Sequence, residues 1–431
     1  MSSCGSLGCG GRGAIVTTSI PRWSHVKADA RVWRAGRVSA ASGEESGCVE
    51  DDVRYRRLDF TQQLAFNARK EFARNLSKGD ACMDLALAAV HIAAEDDALI
   101  SISPVDFPVK SYMDRIDRLA TNLGKRIKSA LPDRLMPPEQ ALPLVEKCLF
   151  QEEKFKVPSF GKSNIPEGTV VDHPGVWEDQ KYAYMNELLI RRVGTPALVT
   201  ILYQDIMKRL LRMEAIDFVV NMDCQGFTQM PRAQVLAGMD RAVVLREDGV
   251  MLNTCSSDAL IEVLQFLKRA FWPFEWDTNE QDGGGFRGAV AMLVDGEMSS
   301  DLEAISRTAK HRLERGIFTT TGGGDVRRAV IACERLAMLC GDTHPMERRD
   351  LAVLLSHVGE IGRAGVELQC YMESAAFQSG SLEDKLPVQQ MHAFLQGFED
   401  VQQPDMPMSV DYILGLDAPV LDPERRISLT W

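Results

Sequence analysis

The chain has 431 residues, 45% of them hydrophobic, with 49 basic against 61 acidic side chains, a formal net charge of −12 and a pI near 5.2. This length allows two or three domains and the apolar content supplies folded cores, while the acidic balance argues against nucleic acid as a main partner. No apolar run approaches the roughly 18 residues that a membrane-spanning helix requires.

Residues 1–40 differ from the rest: they carry six basic residues (Arg12, Arg22, Lys27, Arg31, Arg34, Arg37), one acid (Asp29), and many Ser, Thr, Gly and Ala. An Arg- and Ser-rich, acid-poor stretch with no continuous apolar centre has the composition of a transit peptide rather than a secretory signal. A tail with no address is the plainer alternative. The expectation is an address to the chloroplast stroma, with the mitochondrion second; removing residues 1–40 leaves 43 basic against 60 acidic residues, or −17.

Asp80–Ile127 reads as helices. Ala81–Ala94 is rich in Ala and Leu on most faces, Pro104 and Pro108 break the pattern, and Tyr112, Ile116, Leu119, Leu123 and Ile127 mark one helical stripe. Glu95-Asp96-Asp97 lacks spaced partner ligands for a metal and reads as a solvated helix end. His91, on an apolar face, reads as a core residue rather than a proton shuttle. A short helix is expected over Pro137–Phe150, then a polar, Gly- and Pro-punctuated loop over Gln151–Pro174.

The stretch Lys181–Val220 reads as helix, turn, helix, strand. In the turn, Gly194 suits a helix C′ position, Thr195 an N-cap and Pro196 the first helical residue. The second helix, about Pro196–Arg212, is apolar almost all round at its start, so its amino end is expected inside the fold. Ala215–Met222 and Arg241–Leu245 read as strands, with Val250–Leu252 a third, paired through the Asp248-Gly249 turn. Asp258–Ala270 is an amphipathic helix that Asp258 is placed to cap.

Phe271, Trp272, Phe274 and Trp276 crowd four aromatics into six residues. They are candidates for a docking patch, with packing at a domain joint the reading preferred. Gly283–Gly285 lies in a linker. Gly322–Gly324 lacks the Gly-Lys-Ser/Thr of a nucleotide loop. Gly324-Asp325-Val326-Arg327-Arg328-Ala329 recurs thirty-five residues on as Gly359-Glu360-Ile361-Gly362-Arg363-Ala364, close to the roughly 34-residue period of a tetratricopeptide repeat. Such repeats use Gly and Ala for close helix approach. Ala304–Gly316 is expected as a further helix. The run Arg307 to Arg328 is locally basic: a solvated face, or, more sharply, a site for an acidic partner centred on Arg327 and Arg328. Ten scattered cysteines form no C-x-x-C pair and no Cys/His grouping, so buried reduced thiols are expected, and no metal or cofactor.

Several of these segments resemble the bacterial SirB family, a branch of the transglutaminase-like (papain-like) superfamily. The resemblance lies in Tyr184-Met185-Asn186-Glu187-Leu188-Leu189, Arg191-Arg192, Gly194, Pro196 and Leu202-Tyr203, in Leu85–Asp96, and in Tyr112-Met113-Asp114-Arg115-Ile116-Asp117. It implies an α+β, mainly helical fold. A transglutaminase-like domain with a small antiparallel sheet would cover 80–276, after a linker and first helix over 41–79. A linker over 277–303, a tetratricopeptide-like region over 304–400 and a tail over 401–431 would follow. Active members of the superfamily start the buried helix with a Cys, activated by the helix dipole and a neighbouring His. The positions nearest that nucleophile, base and orienting acid are here Pro196, Gln225 and Asn253. The resemblance therefore implies a catalytically degenerate scaffold that binds a protein or peptide. The alternative is a cysteine-dependent acyltransferase or protease with a relocated site, using Cys224 or Cys255 with His173 or His311. A redox-sensing scaffold is a third reading.

Overall fold

The computed structural model describes residues 48–101, 105–132, 134–158, 179–223, 230–240, 257–274, 285–294 and 325–397; for 48–59, 223 and 237–240 it describes backbone only. The fold is mostly helical with one small two-stranded antiparallel sheet. The expected strands Arg241–Leu245 and Val250–Leu252, the helix Ala304–Gly316, the loop centre at 159–178, the glycine runs Gly322–Gly324 and Gly283–Gly284, and residues 1–40 lie outside the described residues.

Helix α1 (Cys48–Leu76) packs along α2 (Leu85–Ser101). Asp84 caps α2 by accepting from the Leu87 amide at 2.9 Å, as short carboxylates do at helix starts. Asn75 then ties the two helices together: its Nδ2 donates to the Asp84 carbonyl at 2.6 Å and its Oδ1 accepts from the Asp84 amide at 3.0 Å. Helix α2 is buried on nearly every side, its alanines letting neighbours approach all round while Leu85, Val90 and Ile92 fill the spaces between them. His91 is half-buried with an unpartnered Nδ1 among the described residues; burial first, and Arg335 after it, lower its pKa against the pull of Glu71 and Asp84.

Helix α3 (Val109–Ala130) buries Ile116, Leu123 and Ile127 of its expected stripe, with Tyr112 and Leu119 half-buried at the edge. Gly124 lets it lie close to α6: a Cβ there would meet Met213 Cε at 3.3 Å and Leu210 Cδ2 at 3.5 Å. The expected single helix Pro137–Phe150 is two pieces, α4 (Pro138–Glu146) and a π-helical turn over Lys147–Glu152.

Helix α5 (Met185–Arg191) ends on Arg192 in the left-handed region (φ 64), so Arg192 and not Gly194 is the left-handed terminator. Gly194 is small for a different reason: a Cβ there would stand 3.0 Å from Leu188 Cδ1 and 3.3 Å from the Tyr182 carbonyl. Helix α6 (Pro196–Arg212) starts as read, with Pro196 in its first turn and Thr195 as N-cap.

Strand β1 (Phe218–Asp223) runs antiparallel to β2 (Arg232–Asp240), with Val220 opposite Val235, Asp223 opposite Arg232 and a bulge near Phe218. The first strand was expected; its partner was not. Helix α7 (Asp258–Phe271) begins after Ser257 with no side-chain cap, so Asp258 is a first-turn acid rather than the cap. After α8 (Phe286–Val294) come α9 (Val326–Cys340), α10 (Met346–His357), α11 (Ile361–Glu373), α12 (Ala375–Ser379) and α13 (Leu382–Gln396). Helix α9 packs on α7 and α10, and α10 on α11. The thirty-five-residue recurrence falls on the starts of α9 and α11. Ala329 and Ala364 are fully buried, as close packing requires. Gly359 has φ +85 and open space around its Cα, so it serves the turn and not a close contact.

Candidate functional site

The corner where α6 begins is built by three chain segments. Lys156 bridges to Val193 in a short parallel contact: its amide donates to the Arg192 carbonyl at 2.9 Å and its carbonyl accepts from the Gly194 amide at 3.2 Å. The Thr195 amide donates to the Tyr182 carbonyl at 2.8 Å. These bonds fix the chain up to the cap. The Thr195 hydroxyl then accepts from the Leu198 amide at 3.3 Å, which uses one of the amides that a helix start would otherwise turn toward an anion. Pro196 has no amide to offer. Pro196, Ala197, Leu198, Val199 and Thr200 are all buried, and the Thr200 hydroxyl donates back to the Pro196 carbonyl at 2.9 Å. This helix start is buried and carries no thiol and no basic side chain of its own.

Of the other positions the resemblance marks, Gln225 and Asn253 lie outside the described residues, as do the alternative pair Cys224 or Cys255 with His173 or His311. Cys82, Cys148, Cys333, Cys340 and Cys370 are free thiols. Burial holds the Cys333 thiol well above its ordinary pKa, pushes Cys340 up to about 12, and raises Cys148 and Cys370 as well. Arg126 approaches Cys148 Sγ at 3.4 Å and pulls the other way without prevailing. These four are poor thiolates, hence poor nucleophiles.

Two buried charge clusters hold the later helices: one joins α9 and α11 to α1 and α2, the other joins α10 to α7. In the first, Glu95 of α2 sits between two guanidinia. Arg69 of α1 reaches its Oε1 at 2.6 and 2.9 Å, and Arg335 of α9 reaches its Oε2 at 2.5 and 2.9 Å. Arg69 also pairs with Glu334, whose other oxygen takes Arg363 of α11 at 2.5 Å. Burial alone would raise the Glu334 carboxyl; Arg69 and Arg363 outweigh it, and the group ends below the usual glutamate value. Beside this, Asp96 receives a two-pronged contact from Arg328 at 2.6 and 2.7 Å. Arg328 also donates to the Tyr184 hydroxyl at 3.1 Å and lies 3.9 Å over the Phe271 ring.

In the second cluster, Lys268 of α7 contacts Glu347 at 2.5 Å and Asp350 at 2.9 Å, both on α10. Gln265 donates to the other Glu347 oxygen at 2.9 Å, and Arg349 pairs with Asp350 at 2.9 Å while stacking over Phe286. Burial works against the Lys268 charge, yet Asp350 and Glu347 together raise its pKa above the ordinary lysine value.

These contacts bear on three expectations, two of which they correct. Glu95 and Asp96 are not a solvated helix end: they are 2% and 6% exposed and fully paired. Arg328 is not a surface for an acidic partner, being 7% exposed against Asp96; Arg327 beside it is exposed. Phe271, Trp272 and Phe274 are not a docking patch, since all three are buried, Trp272 edge-on to Phe274 at 5.7 Å and Phe274 4.4 Å from the His357 ring. They are packing at a joint between helices; Trp276 lies outside the described residues. Asp96 and Tyr184, two of the residues quoted for the resemblance, meet through Arg328 in a buried ion pair. No group of three or more metal-ligating side chains occurs among the described residues, and no described helix is long and apolar enough to cross a membrane.

Compared with family models, curated proteins and solved structures, the chain matches none of them.

Proposed function

We propose that this protein is a catalytically silent scaffold of transglutaminase-like ancestry, with tetratricopeptide-like helices, and that it acts by binding a protein or peptide partner. The observation that carries this reading is the start of α6: a buried Thr-Pro turn whose capping amide is satisfied internally. A papain-like thiol needs a helix start open to substrate and a base beside it. The raised thiols of Cys148, Cys333, Cys340 and Cys370 support the same reading. The recurrence across α9 and α11 supports the tetratricopeptide-like assignment, and the composition of residues 1–40 supports work in the chloroplast stroma.

The test is a pull-down from stromal extract with the tagged chain and its Cys224→Ala variant. Discrete partners retained by both forms are expected. Partners lost with Cys224→Ala, or accumulation of a covalent thioester-type adduct on Cys224, would overturn the reading in favour of an acyl-transfer enzyme.

A further inference from the structure

The segment 153–158 follows the π-helical turn Lys147–Glu152 and lies over the corner between α5 and α6. Exposure alternates along it: Lys154 and Lys156 are exposed, Phe155 and Val157 buried. That is the period of an extended peptide laid in a groove. The segment holds the corner through Arg192 and Gly194. The Lys156 amide donates to the Arg192 carbonyl at 2.9 Å and its carbonyl accepts from the Gly194 amide at 3.2 Å. Arg192 Nη2 donates to Glu153 at 2.8 Å, and its plane lies 4.4 Å over the Phe155 ring. One residue bonded twice through its backbone, with side chains seated on either side of it, is how a strand-like ligand is held.

Both sides of this contact are strained. Lys154 (φ 59) and Arg192 (φ 64) are left-handed without being glycine, and the turn before them is π-helical. Such outliers gather at clamps and switches. Enclosed polar groups add to the cost: among the described residues, Arg192 Nη1 and the Tyr203 hydroxyl have no partner, and Tyr203 meets Phe150 of the π-helical turn edge-on at 5.8 Å. The backbone offers a way out. The Glu153 amide donates to the Cys148 carbonyl at 2.8 Å, five residues back, while the Leu149 carbonyl takes the Phe155 amide at 3.0 Å. Relaxing the π-helical turn to an α-turn moves the Glu153 amide onto the Leu149 carbonyl. The Phe155 amide is then released, and the segment is drawn back from the corner.

We infer that residues 153–157 are a displaceable strap, and that an extended segment of the partner takes their place against Arg192 and Gly194. The strap rests on the protein-binding reading and gives it a contact surface. What the strap leaves behind sets the chemistry of the incoming segment. Arg192 asks for an acid, the seat of Phe155 for an aromatic two residues later, and the seat of Val157 for a β-branched residue two beyond that.

Hydrogen exchange of the full chain, resolved to single amides, should find Phe155, Lys156 and Gly194 exchanging together and ahead of Thr195, whose amide is held by Tyr182 and not by the strap. Glu153→Gln should speed those three amides. The binding probe is N-acetyl-Glu-Lys-Phe-Lys-Val-Pro-amide, a copy of 153–158. Calorimetry should show it binding the Glu153→Gln chain roughly threefold more tightly than wild type, the worth of one half-exposed ion pair that no longer holds the strap down. The same peptide with Asn in place of Phe should bind neither chain. Exchange of the three amides only together with Thr195 and the interior of α6, exchange unchanged by Glu153→Gln, no binding of the hexapeptide to that variant, or equal binding of the Asn peptide would each overturn the strap. If stromal partners are captured and excess hexapeptide does not displace them, the strap fails as their site and the binding function stands. If the hexapeptide binds and no partner is captured, the strap stands and the proposed function fails.

Discussion

Glu95→Ala is expected to lower folding stability by about 3–5 kcal/mol, the usual cost of removing one member of a buried ion group. Against a total of about 5–15 kcal/mol for a folded protein, that is a large share. The reason is geometric. Glu95 is 2% exposed and is the shared counterion of Arg69 and Arg335, so its loss strands the buried Arg335 guanidinium and leaves Arg69 with Glu334 alone. Pairing Glu95→Ala with Arg335→Met should recover part of the loss, because the stranded charge goes too. A denaturant titration of the three variants, closed as a double-mutant cycle, reads this coupling. Purely additive losses would mean that the ions do not act as a unit. The neighbouring Glu334 gives the pH dependence its sign. Its folded pKa lies below the ordinary 4.5, so it contributes stability above that value and loses the contribution as pH falls toward the folded value.

Lys268→Met is the second large effect, with the same expected range of about 3–5 kcal/mol near neutral pH. The Lys268 pKa is raised above 10.5. Its contribution is thus complete throughout the neutral range and is lost only as pH climbs through the folded value. Removing the ammonium leaves Glu347 without a cation and Asp350 with Arg349 alone. Burial then favours the protonated acids. The deficit relative to wild type should therefore be largest at neutral pH and shrink as pH falls through the range where carboxyls titrate. Chemical denaturation at pH 7 and at about pH 5 measures it; a deficit that grows on acidification would contradict the pairing.

What the sequence made legible was local. Thr195 and Pro196 announce a helix start by their own chemistry, and the greasy turn after them announces its burial; both hold in the structure. The helical stripe of α3 and the first strand were readable for the same reason. The charge clusters were not, because their partners are far apart in the chain: Glu95 lies 26 residues from Arg69 and 240 from Arg335, and Asp96 lies 232 from Arg328. A run such as Glu95-Asp96-Asp97 looks solvated until its counterions are placed. One signal was available. Arg328, Ala332 and Arg335 repeat at helical spacing beside the buried Ala329 and Leu336, which sets those arginines on the inward face of α9 and Arg327 outward. Strand β2 escaped notice because Arg232, Gln234 and Val235 are exposed and leave weak alternation to read. Gly194 was correctly seen as special but for the wrong reason: contact with Leu188 and Tyr182, not a left-handed backbone, excludes a side chain there.

Thiol reactivity decides most directly whether the chain is chemically silent. Pulse alkylation of the native protein with iodoacetamide at pH 7, read cysteine by cysteine by mass spectrometry, should find every thiol at or below the rate of free glutathione, with Cys333 and Cys340 slowest. A single cysteine, Cys224 or Cys255 above all, modified a hundredfold or more faster than glutathione would contradict the account and mark a working nucleophile.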